Sequence, residues 1–274
     1  MRIALLGAGT MGRAVLTSIL ATDGVGADDV VVTTSRDASA EAVASRFGVA
    51  AGTDNRAAAT DADVVVLGVK PQGMAALLDE IGPAIGGETL VASLAVGLAT
   101  TFYEARLPAG TPVVRVMPNT PATIGQGVSA LSAGAAATDA HLALLERLLA
   151  GTGLVVRVPE SQQSVVAAVS GSGPAYVFHL VDALAEAGTA GGLPRATALR
   201  LAAQTVAGAG ALAVSSGEHP AILREQVSSP GGTTLAALAE LDDRGVRAAY
   251  AAAVRAAVRR AGELAADLDP GPPR

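Results

Sequence analysis

Up to Pro159 the chain alternates short β-branched apolar runs with longer stretches of helical spacing. Arg2–Leu6, Val30–Thr34, Val64–Val69, Thr89–Ser93, Val113–Val116 and Leu154–Val158 read as strands; Met11–Ala21, Ser39–Arg46, Gly73–Ile81 and Asp139–Leu149 read as helices. Strand and helix in turn predict βαβ units and a mainly parallel sheet. After Pro159 the strand signals stop. From Ser161 to Leu268 helical stretches are broken by SGSGP (170–174), GGLP (191–194), SSGEHP (215–220) and SSPGG (228–232), the punctuation of helix ends. The expected fold class is α/β, with a first domain over 1–160, an all-helical domain over 161–268, and a disordered tail, DPGPPR, over 269–274.

The helical part has few large side chains. In VRAAYAAAVRAAVRRAGEL the stripe Val246, Tyr250, Val254 and Val258 recurs every four residues on a background of alanine. A helical domain so thin completes its core with another subunit, so a homodimer is expected; packing of the stripe against the first domain alone is the alternative.

Composition narrows the partners. A chain of 274 residues that is 50% apolar can bury a full core, and its net charge of −6, with arginines scattered singly apart from Arg259-Arg260, argues against nucleic acid or an anionic membrane. The absence of cysteine excludes disulfides, a thiolate nucleophile and cysteine-metal sites, and fits a reducing cytoplasm. The opening MRIALLGAGTMGRAVL does not read as an export signal, because Arg13 interrupts it and its glycines are spaced for another purpose. No membrane span is predicted either: the best stretch, VVAAVSGSGPAYVFHLV, carries Gly, Pro and His and runs on to Asp182 and Glu186.

That other purpose is a dinucleotide. GAGTMG follows the strand RIALL and opens a helix, so Gly7 makes the tight turn, Gly9 lets backbone amides approach a pyrophosphate, and Gly12 allows close helix-to-strand packing. Thr10 and Met11 fall within the same loop, and the first domain is expected to be Rossmann-like. The second strand runs out in VVVTTSRD, where Ser35 and Arg36 suit the 2′-phosphate of NADP; Asp37, brought to a ribose hydroxyl, is the competing NAD reading. Val69, Lys70 and Pro71, at the end of VVVLGVKP, should lie along the cofactor, and Lys70 is the chain's single lysine.

The second domain offers little acid–base machinery. His179 on an apolar helix reads as a packed core residue and His219 as the start of a helix, with no second ligand at metal spacing, so no metal site is expected. VSSPGGTT (227–234) is more telling. Ser229 before Pro230 already supplies an N-cap and a first-turn proline, which leaves Gly231, Gly232, Thr233 and Thr234 as surplus small and hydroxylated groups at a helix N-terminus, a ready anion site.

GAGTMG, GVKP (68–71), RVMPNTPA (115–122), SGSGPAY (170–176) and VSSPGGTT together, in order and spacing, resemble the pyrroline-5-carboxylate reductases over nearly the whole chain. The last three motifs are the most specific. The resemblance implies reduction of 1-pyrroline-5-carboxylate to L-proline by NADPH or NADH, and a helical domain interleaved with its twin in a homodimer, or in a decamer built from dimers. It implies that Ser229 and the amides of Gly231 to Thr234 hold the substrate carboxylate with the Thr234 hydroxyl near the ring nitrogen, making Thr234 and Ser229 the catalytic candidates. It further implies that Glu160, Ser170, Gly171, Ser172 and Gln226 border the pocket, Gln226 on the cofactor side, and that Asn55, Val69, Lys70, Pro71 and Asn119 position the cofactor. Two departures stand out: the segment before SGSGPAY commonly carries a threonine and an aspartate in the family, and here SVVAAV has Ser164 and Ala167 at those places. A β-hydroxyacid dehydrogenase is the nearest rival, but it needs a lysine base in the second domain and none follows Lys70. A non-catalytic NADP-binding sensor is the other; intact SGSGPAY and SPGGTT count against it.

Overall fold

Successive residues of the first strand point into two different cores: Ile3 and Leu5 join one, Ala4 and Leu6 the other, and none of the four is exposed. The same alternation recurs in Val64 to Leu67, as expected of a sheet covered by helices on both faces. In the computed structural model, which describes residues 1–268, this sheet has eight strands: β1 (Ile3–Leu6), β2 (Val30–Thr33), β3 (Ala50–Gly52), β4 (Val64–Leu67), β5 (Leu90–Ser93), β6 (Val113–Met117), β7 (Gly127–Ala133) and β8 (Gly153–Arg157). Their order is β3-β2-β1-β4-β5-β6-β7-β8, all neighbours parallel except β6 and β7. The order reverses between β1 and β4, which is where a doubly wound sheet opens its ligand crevice. The fold is α/β, a Rossmann-like first part followed by helices.

Two strands are additions to the sequence reading. β3 is Ala-Ala-Gly, and β7 (GVSALSA) buries serines instead of β-branched residues: Ser132 Oγ donates to the Val158 carbonyl at 2.8 Å, and Ser129 pairs with Thr152. Neither carries the apolar pattern of a strand.

The chain divides into two compact units, Met1–Gly171 together with the end of the last helix from Ala257, and Ser172–Ala256. The segment 160–171, expected to open the helical domain, is tied to the sheet. The backbone N–H and the hydroxyl of Thr100 each donate to one Glu160 carboxylate oxygen at 2.7 Å, and buried Gln163 donates to Ser132 Oγ at 2.7 Å and to the Ala130 carbonyl at 3.2 Å. At the other end of the chain, Leu268 packs on the core that holds Leu6 and Leu67. The tail expected at 269–274 lies outside the described residues.

In the second unit, helices Gly173–Ala190 and Arg195–Ser216 pack through Ala185, Ala198 and Ala202. Arg195 also reaches Asp182 at 2.6 Å. Little else there is buried. Phe178 is 66% exposed and Val214 86%, and His179 is exposed too, so the expectation of a packed core histidine is corrected: no part of this unit covers that helix face. The expectation of no span also needs revision, since the helical stretches Glu160–Ala190 and Arg195–Ser216 reach the length and apolar composition of one. Glycine, proline and histidine dilute the apolar character without removing it. An apolar helix left uncovered by its own chain calls equally for a protein partner.

A buried polar pair closes the far side of the sheet. The Tyr103 hydroxyl lies 2.6 Å from Ser93 Oγ with no exposure of the ring, and burial pushes the phenol up to about 12. Between pH 10, the ordinary tyrosine value, and about 12 the folded chain therefore keeps a proton that the unfolded chain has lost. Stability should fall as pH rises through that window, by roughly 2–3 kcal/mol in all. Denaturant midpoints measured across the window should show this slope in the wild type and a flatter one in Tyr103→Phe.

Candidate functional site

The β1–helix turn and the β4–helix turn are pressed together at the switch point. Gly7 takes φ +100° and its N–H donates to the Thr33 carbonyl at 3.0 Å, while Gly68 N–H donates to the Leu6 carbonyl at 2.7 Å. A Cβ on Gly68 or on Gly12 would run into the Gly7 carbonyl oxygen, and one on Gly7 would sit 2.8 Å from the Gly68 carbonyl carbon. All three glycines are thus demanded by backbone packing.

Gly9 is different. It is the N-cap of helix Thr10–Leu20, no side chain caps that end, and a Cβ there would meet nothing within 4 Å. The first-turn N–H groups of Thr10, Met11 and Gly12 have no acceptor in their own helix, and they follow an exposed residue without a side chain. This is a cradle that a Cβ would fill, and it fits a dinucleotide pyrophosphate.

At the end of β2 the two candidate ribose-end residues part company. Ser35 and Arg36 are exposed in the turn, Thr34 Oγ1 holds the Arg36 carbonyl at 2.9 Å, and Arg36 makes no ion pair among the described residues. Asp37 is the first residue of helix Asp37–Phe47 and accepts from Thr53 Oγ1 at 3.3 Å. Lys70 is exposed after β4, Val69 half-buried, and Pro71 begins a single 3-10 turn, Pro71–Gly73, before helix Met74–Ile81.

Two other expected cofactor contacts are engaged within the protein. Asn55 accepts from Thr33 Oγ1 at 2.6 Å and donates to Glu80 at 3.1 Å, bracing the end of β2. Asn119, 8% exposed, accepts from Val128 N–H at 2.8 Å and donates to the Ser170 carbonyl at 2.9 Å. Glu160 likewise spends both oxygens on Thr100 and lies 3.5 Å from Arg115. Sequence reasoning had no access to these partners, which lie between 9 and 60 residues away.

The second unit holds the SSPGG turn. Helix Thr233–Asp243 begins at Thr233 with Gly232 as N-cap and no side-chain cap, so Ser229 is not the capping residue and Pro230 precedes the helix. The reason is a separate β-turn: Gly232 N–H donates to the Ser229 carbonyl at 3.0 Å, with Gly231 at φ +68° after Pro230, the geometry Pro-Gly favours. A Cβ on Gly232 would displace the Ser229 hydroxyl and press on the Ser229 carbonyl oxygen at 3.0 Å. The turn takes up the Gly232 N–H and leaves the amides of Thr233 and Thr234 free by helix geometry. Gln226 ends helix Pro220–Gln226 and donates to Glu218 at 2.9 Å; His219 caps the start of that helix, its Nδ1 accepting from Ala221 N–H at 3.2 Å.

Of the two departures, Ala167 packs in an apolar cluster with Met117 and Ala130. Ser164 is half-buried.

Comparison with known proteins agrees with this layout. A pyrroline-5-carboxylate reductase of Pseudomonas aeruginosa is 41% identical over 268 residues, 97% of this chain and 98% of the relative. The chain belongs to the pyrroline-5-carboxylate reductase family. The family model described as pyrroline-5-carboxylate reductase dimerisation matches residues 160–264, and one described as NADP oxidoreductase, coenzyme F420-dependent, matches 2–97. The reductase structure from Coxiella burnetii superposes with a TM-score of 0.91 at 37% identity, covering 96% of this chain and 98% of that one. A Plasmodium falciparum pyrroline carboxylate reductase with NADP bound shares the fold, with a TM-score of 0.83 at 24% identity over 97% and 98% of the two chains.

Two glycine substitutions should separate binding from folding. Gly9→Ala adds a methyl that touches no protein atom. It should leave the melting temperature within about a degree or two and weaken NADPH binding about tenfold or more. Gly68→Ala should lower the melting temperature itself, because backbone must move. Thermal melts beside fluorescence titration with NADPH check both.

Proposed function

We propose that this chain reduces 1-pyrroline-5-carboxylate to L-proline with NADPH, as the closing step of proline synthesis in the cytoplasm. The observation that carries the reading is the turn-and-helix Ser229–Thr234, an uncapped helix N-terminus ringed by hydroxyls, in a chain that belongs to the pyrroline-5-carboxylate reductase family. Residues 1–160 are assigned to the cofactor, and 161–268 to the substrate and to dimerisation.

NADPH, when bound, supplies the hydride. Gly7, Gly9 and Gly12 with the amides of Thr10 and Met11 receive the pyrophosphate, Ser35 and Arg36 the 2′-phosphate, and Val69, Lys70 and Pro71 flank the nicotinamide side. The free Arg36 and the removal of Asp37 into its helix favour NADPH over NADH. The NADP named for the matched family and for the Plasmodium relative supports the same choice. Ser229 Oγ and the amides of Gly231, Thr233 and Thr234 hold the carboxylate, the Gly232 amide being committed to its own turn. The Thr234 hydroxyl stands near the ring nitrogen and steadies its proton. A protonated imine is already electrophilic, so orientation and charge stabilisation suffice and no strong base is needed.

The exposed apolar faces of helices Gly173–Ala190 and Arg195–Ser216 support a homodimer, and a decamer built from dimers extends it. The hydroxyacid dehydrogenase rival finds no lysine after Lys70 to serve as base.

The deciding experiment follows NADPH absorbance with 1-pyrroline-5-carboxylate; no oxidation above background refutes the reading. Thr234→Ala should lower kcat about tenfold to a hundredfold with the KM for NADPH unchanged. Arg36→Asp should move the ratio of kcat/KM values toward NADH by at least about tenfold.

A further inference from the structure

Asn119 was expected at the cofactor, yet its side chain is turned to a different task. Its amide bridges two backbone groups, the Val128 N–H at 2.8 Å and the Ser170 carbonyl at 2.9 Å, and it is 8% exposed. The orientation is forced: a backbone N–H can only donate and a carbonyl only accept, so Oδ1 must face Val128 and Nδ2 must face Ser170.

The carbonyl it reaches is one the chain leaves in need. Residues Ala167–Gly171 form a π-helical turn, a form found mostly as isolated bulges at functional sites. In a regular helix the Ser170 carbonyl would accept from the N–H four residues on, and residue 174 is a proline, which has none. The SGSGP motif thus creates an orphan acceptor, and the RVMPN motif supplies its donor. On the other side, a Cβ on Gly171 would meet the Met117 methyl at 2.6 Å, so the end of the same strand also lies against the next residue.

We propose that Asn119 is a positioning residue for the substrate side: by donating to Ser170 it holds in its reactive place the 170–172 turn, which the family resemblance assigns to the border of the imine pocket in the reaction proposed above. The inference rests on that reading for its effect on catalysis, and on the geometry alone for the turn itself.

The test is Asn119→Asp, which keeps an acceptor for Val128 and sets a carboxylate oxygen, an acceptor, against the Ser170 carbonyl in place of the donor. Expected are a kcat/KM for the imine lowered about tenfold and a KM for NADPH within about twofold of wild type. Pro174→Ala returns a backbone N–H at the position from which a regular helix would serve Ser170, so the double variant should recover most of the loss. A raised KM for NADPH with unchanged imine kinetics overturns the proposal in favour of a cofactor contact, and a double variant no better than Asn119→Asp overturns the coupling. If Asn119→Asp does not fold, the double variant must fold and turn over; if it does neither, the proposal fails. A wild type inert toward the imine refutes the proposed reaction instead. Amide exchange over 164–176 then reads the turn directly, faster exchange in Asn119→Asp supporting the hold and unchanged exchange overturning it.

Discussion

The Gly7 carbonyl is the point on which the cofactor half turns. It stands where a Cβ of Gly12 or Gly68 would be, so the first helix, the first strand and the turn after β4 approach to a distance that only three glycines permit. This contact brings the turns after β1 and β4 together, and the reversal of strand order at β1 and β4 opens a crevice at the carboxyl ends of the strands. Gly9 stands apart within the same motif, since protein packing makes no demand on it. Gly7, Gly12 and Gly68 answer to the fold, and Gly9 is left open by it.

A second theme is the use of side chains as backbone partners. Asn119, Glu160 and Gln163 each satisfy main-chain groups or buried hydroxyls distant in sequence, and together they fasten 160–171 to the sheet. Buried polar groups must be paired, so residues of this kind are set by the fold's unsatisfied backbone as firmly as apolar residues are set by its core. That is how a motif on one strand end can govern a turn fifty residues on.

The parts legible in the sequence were those with a local physical cause. The strands β1, β2, β4, β5, β6 and β8 announce themselves by β-branched runs, and the glycine fingerprint by its place between strand and helix. β3 and β7 were hidden because small and hydroxylated residues fill them. The helix start at Thr233 was misplaced because the Pro-Gly turn before it mimics a capping sequence. His179 was misjudged because an apolar helix normally finds its cover within its own chain. The tethering roles of Asn55, Asn119 and Glu160 depend on long-range neighbours, which periodicity does not register.

The uncovered face of the helical unit bears on how the molecule persists. With Phe178 and Val214 largely exposed in a single copy and only three alanines buried between its first two helices, that unit buries little core of its own. In the homodimer proposed above its stability is shared with the second copy and becomes a function of protomer concentration. On dilution of such a dimer, loss of association and loss of structure in this unit become the same event.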